Sequence, residues 1–126
     1  VEQGYVDTEM GRLRQLWLLA TEDDEGKLRK AINTPVQGNA SDLSLFCMVY
    51  TWELLRQEFG TALPLIVENI GFFHDALLLE YEETEEEAVE EIVRQAWEHP
   101  PLEERLGIQL PVPLVANIIM GKRWAA

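Results

Sequence analysis

The chain has 126 residues, 47% of them hydrophobic, which suits one globular domain with a real core and excludes a disordered chain. Ten Lys and Arg stand against 23 Asp and Glu, a net charge of −13, so nucleic-acid binding by overall charge is excluded. Any such binding must rest on a local basic patch or on basic surface supplied by another part of a larger protein.

The acidity is uneven: residues 1–60 hold six basic and ten acidic groups, residues 61–126 four and thirteen. No apolar run approaches a membrane span and no signal peptide opens the chain. The single cysteine, Cys47, lies in an apolar helical run and reads as a buried small hydrophobe. It can form no internal disulfide, which points to a reducing, cytoplasm-like compartment.

In chain order, residues 4–8 and 13–19 have short extended character, joined by a turn at Gly11. An acidic surface connection, residues 21–26, leads to a short helix over about 25–32, with acids at its start and Lys27, Arg29 and Lys30 further along. Pro35 pushes Thr34 toward an extended conformation, so this helix should end near Asn33. The longest helix, about 40–59, should begin after Gly38, capped by Asn39 or Ser41 with Asp42 in its first turn. Leu43, Phe46, Val49, Tyr50, Trp52, Leu55 and Phe59 give it a broad apolar surface, and Gly60 stops it.

Strand-like runs over 63–73 and 76–81 flank the polar pair His74-Asp75, the pattern of a β-hairpin with those two residues at its tip. Buried strands would hold such a carboxylate rigidly while its oxygens face solvent, which suits a ligand for a hard divalent cation. An ordinary hairpin tip reads the same way, because His and Asp both tolerate turns. Thr84-Glu85-Glu86-Glu87 has the spacing of a capping box opening a helix to about His99. Ala88, Val89, Ile92, Val93, Ala96 and Trp97 are its buried stripe, and its acids its solvated face. Pro100-Pro101 ends it, and a loop over 102–111 leads to a last strand at about 113–119. Trp52, Trp97 and Trp124 read as packing residues. With no repeat and no linker, the fold class is α+β: an antiparallel sheet, hairpin plus C-terminal strand, with helices packed on one face.

Several segments resemble one family in order and nearly end to end. Residues 29–42 (RKAINTPVQGNASD) look like the R-x-x-I-N-x-P-x-Q-G-T-A-A-D segment opening the long palm helix of family A DNA polymerases, departing from it at Asn39 and Ser41. Phe73-His74-Asp75-Ala76 resembles that family's motif C, a hydrophobic residue followed by His-Asp-Glu. Gly4–Thr8 with Gly11–Arg14 resembles G-Y-V-x-T-x-x-G-R-R-R, and Val112-Pro113-Leu114 and Gly121–Trp124 resemble the closing V-P-L strand and G-x-x-W tail. Motif A, D-Y-S-x-x-E, and the fingers helix R-x-x-x-K-x-x-x-F-x-x-x-Y-G do not occur in this sequence. The resemblance therefore implies a single partial palm domain over 1–126, the C-terminal part of the polymerase domain of a bacterial DNA polymerase I-type enzyme, in the cytoplasm of a bacterial or phage-infected cell.

It also implies roles. Asp75 would be one of two aspartates ligating Mg²⁺ in a two-metal site, with His74 near the primer terminus. Arg29, Asn33 and Gln37 would contact primer–template DNA near the growing end. Donors of those types can reach the minor-groove acceptors that every base pair presents, whatever the sequence. Arg12 and Arg14 would lie near template phosphates. Without the resemblance, Arg29 reads as a helix-surface charge, Gln37 and His74 as turn residues, and Arg12 and Arg14 as solvent-facing strand arginines. Ala76 stands where the family has Glu, which puts the use of that acid in doubt. One carboxylate cannot hold two Mg²⁺ ions, so the isolated chain should be inactive and should need a second polypeptide or a preceding part carrying motif A and the fingers, with DNA and dNTPs as substrates. The alternative is a non-catalytic, polymerase-derived interaction module docking through the acidic helix. A palm piece cut from its neighbours should also expose apolar surface and self-associate.

Overall fold

The computed structural model describes residues 5–7, 9–15 and 23–123. The readings for residues 4, 8, 16–19, 21–22 and 124 lie outside them. Two short strands, β1 (Tyr5–Asp7) and β2 (Leu13–Gln15), pair antiparallel about the turn at Gly11, whose φ of 87° requires a residue free of the Cβ penalty. A helix of 36 residues, α1 (Asp24–Phe59), follows. The second hairpin is β3 (Val67–Phe73) with β4 (Ala76–Tyr81), then come a 3₁₀ turn (Glu83–Glu85), α2 (Glu86–Glu98) and a short α3 (Leu102–Leu106). The architecture is α+β, with helices and antiparallel two-stranded sheets.

Pro35 and Gly38 do not divide α1, which corrects the expected pair of helices. Proline removes one backbone donor and crowds the preceding turn. The β1–β2 hairpin bridges the weakened segment. Arg14 Nη1 donates to Thr34 Oγ1 at 3.0 Å, and Thr34 Oγ1 donates to the Lys30 carbonyl at 2.6 Å. The Glu9 amide donates to Asn39 Oδ1 at 3.0 Å, and Arg12 Nε donates to Asp42 Oδ1 at 2.6 Å. These contacts hold residues 34, 39 and 42 in one docking face, so tertiary bonding outweighs the local break. Asn39, Ser41 and Asp42 accordingly lie inside the helix. The cap is Asp23, whose Oδ1 accepts from the Gly26 amide at 2.7 Å, and Gly60, at φ 74°, ends the helix as expected.

The core lies where three elements meet: Leu55 of α1, Val67 of β3 and Val89 of α2, exposed by 2% or less. Phe59, Ile66, Leu79, Tyr81, Ile92 and Val93 pack around it. The apolar stripe read for α2 is the one that faces this core, with Val89 and Ala96 buried. The capping box is absent. Glu85 donates its amide to the Glu82 carbonyl at 2.9 Å, so a 3₁₀ turn occupies the start and Thr84 lies inside it. Val49 is solvent-exposed, unlike the rest of the apolar surface assigned to its helix.

Residues 113–119 form no strand among the described residues. Pro111 and Pro113 carry no backbone donor for a ladder, and neither two-stranded sheet takes the segment up. Val115 and Ile119 stay exposed there. No described helix is long and apolar enough to cross a membrane.

Candidate nucleic-acid interface

Continuity of α1 through Pro35 decides the geometry of the first cluster. Arg29, Asn33 and Gln37 fall four residues apart on one helix, hence on one face, in a row spanning about 12 Å. All three are exposed. They line a concavity of about 390 Å³ with Gly26, Lys30 and Arg14, which reaches in from β2. Four of the five residues expected to contact DNA are thus brought together, and Lys30 adds a third cation. In a chain of net charge −13 this is a local basic concavity furnished with amide donors. The sequence reads Lys30 only as a basic residue of the helix; the structure places it in the concavity with Arg14.

Arg12 does not join that cluster. Its guanidinium is engaged with Asp42, through the 2.6 Å Nε bond and an Nη2 contact of 2.5 Å to the same oxygen. Hydrogen bonding and charge from Asp42 raise the Arg12 pKa above its ordinary value. Where the resemblance implied a template-phosphate contact, the structure gives Arg12 a carboxylate partner that ties β2 to α1.

The second cluster is the hairpin tip. Phe73 pairs with Ala76, leaving His74 and Asp75 as a two-residue turn with His74 at φ 57°. His is among the non-glycine residues that tolerate this left-handed region. Both residues are exposed, as is Ala76. The ladder is irregular between Asn69 and Gly71, where Ile70 has no opposite partner. Such a bulge bends a strand and re-aims the side chains beyond it. A Cβ on Gly71 would sit 2.5 Å from Phe73 Cε2, so the Phe73 ring lies over Gly71 and the glycine permits that approach.

Asp75 is chemically suited to Mg²⁺, a hard cation that takes carboxylate oxygen. The number of donors does not suffice: among the described residues no three His, Cys, Asp or Glu are grouped to hold a metal. These residues alone do not constitute a magnesium site. His74 and Asp75 do not line the basic concavity either.

The strand base is fixed by Arg56. Its Nη1 donates to the Gly60 carbonyl at 2.9 Å, its Nη2 donates to the Val67 carbonyl, and its guanidinium lies 4.2 Å from the Trp52 ring centroid. No sequence motif marked this residue, because its partners are backbone oxygens and a stacked ring.

The helix face gathers cations and amide donors in one concavity and the second hairpin carries an exposed carboxylate at its turn; comparison with known sequences supplies the family. The family model of DNA polymerase family A matches residues 1–126. The thermostable DNA polymerase I of Thermus thermophilus is 35% identical over 126 residues, 98% of this chain and 13% of that protein. That of Thermus filiformis is 34% identical over 125 residues, covering 97% and 13%. DNA polymerase I of Mycobacterium leprae is 31% identical over 130 residues, covering 99% and 13%. This chain belongs to DNA polymerase family A. It spans about 13% of the length of these relatives.

Proposed function

We propose that this chain is the palm-side part of a DNA-directed DNA polymerase, in which the row Arg29, Asn33, Gln37 holds primer–template DNA and Asp75 supplies one carboxylate to a Mg²⁺ site completed from outside the chain. The observation that carries this reading is the row itself: three donors at four-residue spacing on one unbroken helix, joined by Arg14 in one concavity. A neutral amide can donate to purine N3 or pyrimidine O2, which all four base pairs present in the minor groove, so Asn33 and Gln37 would test pair geometry without reading sequence. Arg29 and Arg14 would neutralise phosphate and fix the register of the duplex.

Asp75 fits the remaining role by position: an exposed carboxylate on a two-residue turn between paired strands. Bound Mg²⁺ stabilises charge on the attacking and leaving oxygens of phosphoryl transfer. This chain's part is to aim one carboxylate, to set His74 beside the primer end, and to seat the duplex and incoming dNTP against them. The other ligands would come from a partner polypeptide or a longer chain in the cytoplasm. Ile32 and Val36, exposed beside the row, belong to the apolar surface such a partner would cover. The exposed acids Glu86, Glu87 and Glu91 of α2, with Ala76 in place of the family's Glu, favour a second reading in which the chain is a docking module without catalysis.

The deciding experiment joins this chain with a segment carrying D-Y-S-x-x-E and the fingers helix and measures primer extension. The joined protein extends a primer with Mg²⁺ while this chain alone does not. Asp75→Asn then lowers kcat on the order of 10³-fold, the scale of losing several kcal/mol of metal-borne stabilisation. A loss below tenfold sinks the assignment of Asp75, and no extension by the joined protein favours the docking module.

A further inference from the structure

We propose that Arg56 is a positioning residue that fixes the angle between α1 and the β3–β4 hairpin and thereby aims His74 and Asp75. Its two Nη groups donate to the carbonyls of Gly60 and Val67. These residues bracket the connection between α1 and β3, so one planar side chain ties both ends of that connection to the helix. The Gly60 amide returns a bond of 2.9 Å to the Arg56 carbonyl, locking the same residue at its backbone. Trp52, one turn earlier, lies against the guanidinium face at 4.2 Å and fixes its plane. Arg56 Nε is buried with no acceptor, a cost set against the two bonds that its Nη groups make.

Core packing of Val67 against Leu55 and Val89 holds the strand base down, but apolar contact is non-directional. The fork supplies the direction. A lysine cannot replace it, because one ammonium on a flexible stem lacks the planar, two-pronged geometry.

The lever is long. From Val67 to the tip, strand geometry gives about 20 Å. A tilt of about 3° at the base therefore moves the tip by about 1 Å, a displacement that costs on the order of 10²-fold in a positioned reaction. The importance of Asp75 rests on the function proposed above, whereas the aim of the hairpin does not.

Double electron–electron resonance on the full chain reads that aim. Spin labels at Ser41→Cys on α1 and Ala76→Cys at the tip occupy exposed positions, and the buried Cys47 thiol stays unlabelled. The parent gives one narrow distance. Arg56→Lys and Arg56→Met each broaden the distribution at least twofold, with helical circular dichroism unchanged. Trp52→Leu, which keeps the fork but removes its stacked ring, broadens it less. An unchanged width in folded Arg56→Lys overturns the proposal, and this variant decides the matter if Arg56→Met does not fold. In the joined polymerase, Arg56→Lys lowers kcat at least tenfold and leaves KM for primer–template within twofold. A change confined to KM overturns it. A mild effect of Asp75→Asn would instead defeat the metal assignment while leaving the distance result standing.

Discussion

Leu55→Ala tests whether the three-way junction carries the stability of the fold. Leu55 is fully buried and packs with Val67 and Val89, so its truncation removes apolar contact shared by α1, the hairpin and α2. Core Leu→Ala changes cost about 2–5 kcal/mol, and a site walled by three elements collapses poorly, so about 3 kcal/mol is expected. At about 2.1 cal/mol/K per residue, 126 residues give an unfolding entropy of about 0.26 kcal/mol/K. The midpoint should therefore fall by about 11 °C. Urea unfolding followed by circular dichroism measures the loss, with an unchanged slope excluding a change in the extent of unfolding. The control is Val49→Ala, exposed by 52%, which should change stability by less than about 0.5 kcal/mol. A Leu55→Ala loss below about 1 kcal/mol, or equal losses at the two positions, would refute the placement of the core.

Cys47 is 1% exposed, and burial pushes its thiol up to about 11 from 9.0. The folded state thus holds its proton more tightly than the unfolded state. This contribution to stability is fully present below pH 9 and is lost as pH rises through about 11; urea midpoints of the parent and Cys47→Ala should converge across that window. At pH 8 the native thiol should react with a disulfide reagent at least tenfold more slowly than in urea, and equal rates would contradict its burial. Gly71→Ala puts a Cβ into the Phe73 ring, which can swing outward because Phe73 is 48% exposed. Stability should change by less than about 1.5 kcal/mol, while the NMR resonances of Phe73 and His74 shift. Unmoved resonances would show that the ring does not lie over Gly71.

The second hairpin was legible because apolar runs flank a polar pair, and the structure puts His74 and Asp75 at the turn. The stripe of α2 and the stop at Gly60 followed from periodicity and from glycine's access to positive φ. The sequence predicts a break at Pro35 that the structure lacks, because the local penalty of proline is visible in sequence whereas the bonds from Arg14, Glu9 and Arg12 that overcome it are not. The same contacts explain the site. The motif names Arg29, Asn33 and Gln37, but their alignment on one face exists only because the helix continues, and Arg14 joins them only through the fold. Arg12 had no visible partner in the sequence, since Asp42 reaches it across a docked hairpin. The strand expected at 113–119 failed on a ladder partner, which no local pattern can supply.

An unbroken α1 also behaves as a ruler. From Gln37 to Arg56 its geometry sets an axial offset of about 29 Å and a fixed rotation, with each residue contributing about 100° of turn. Substitutions between them leave that measure intact. One inserted or deleted residue would swing the Arg29–Gln37 row a quarter-turn away from the hairpin base, so the segment between them is constrained in length more strictly than in composition.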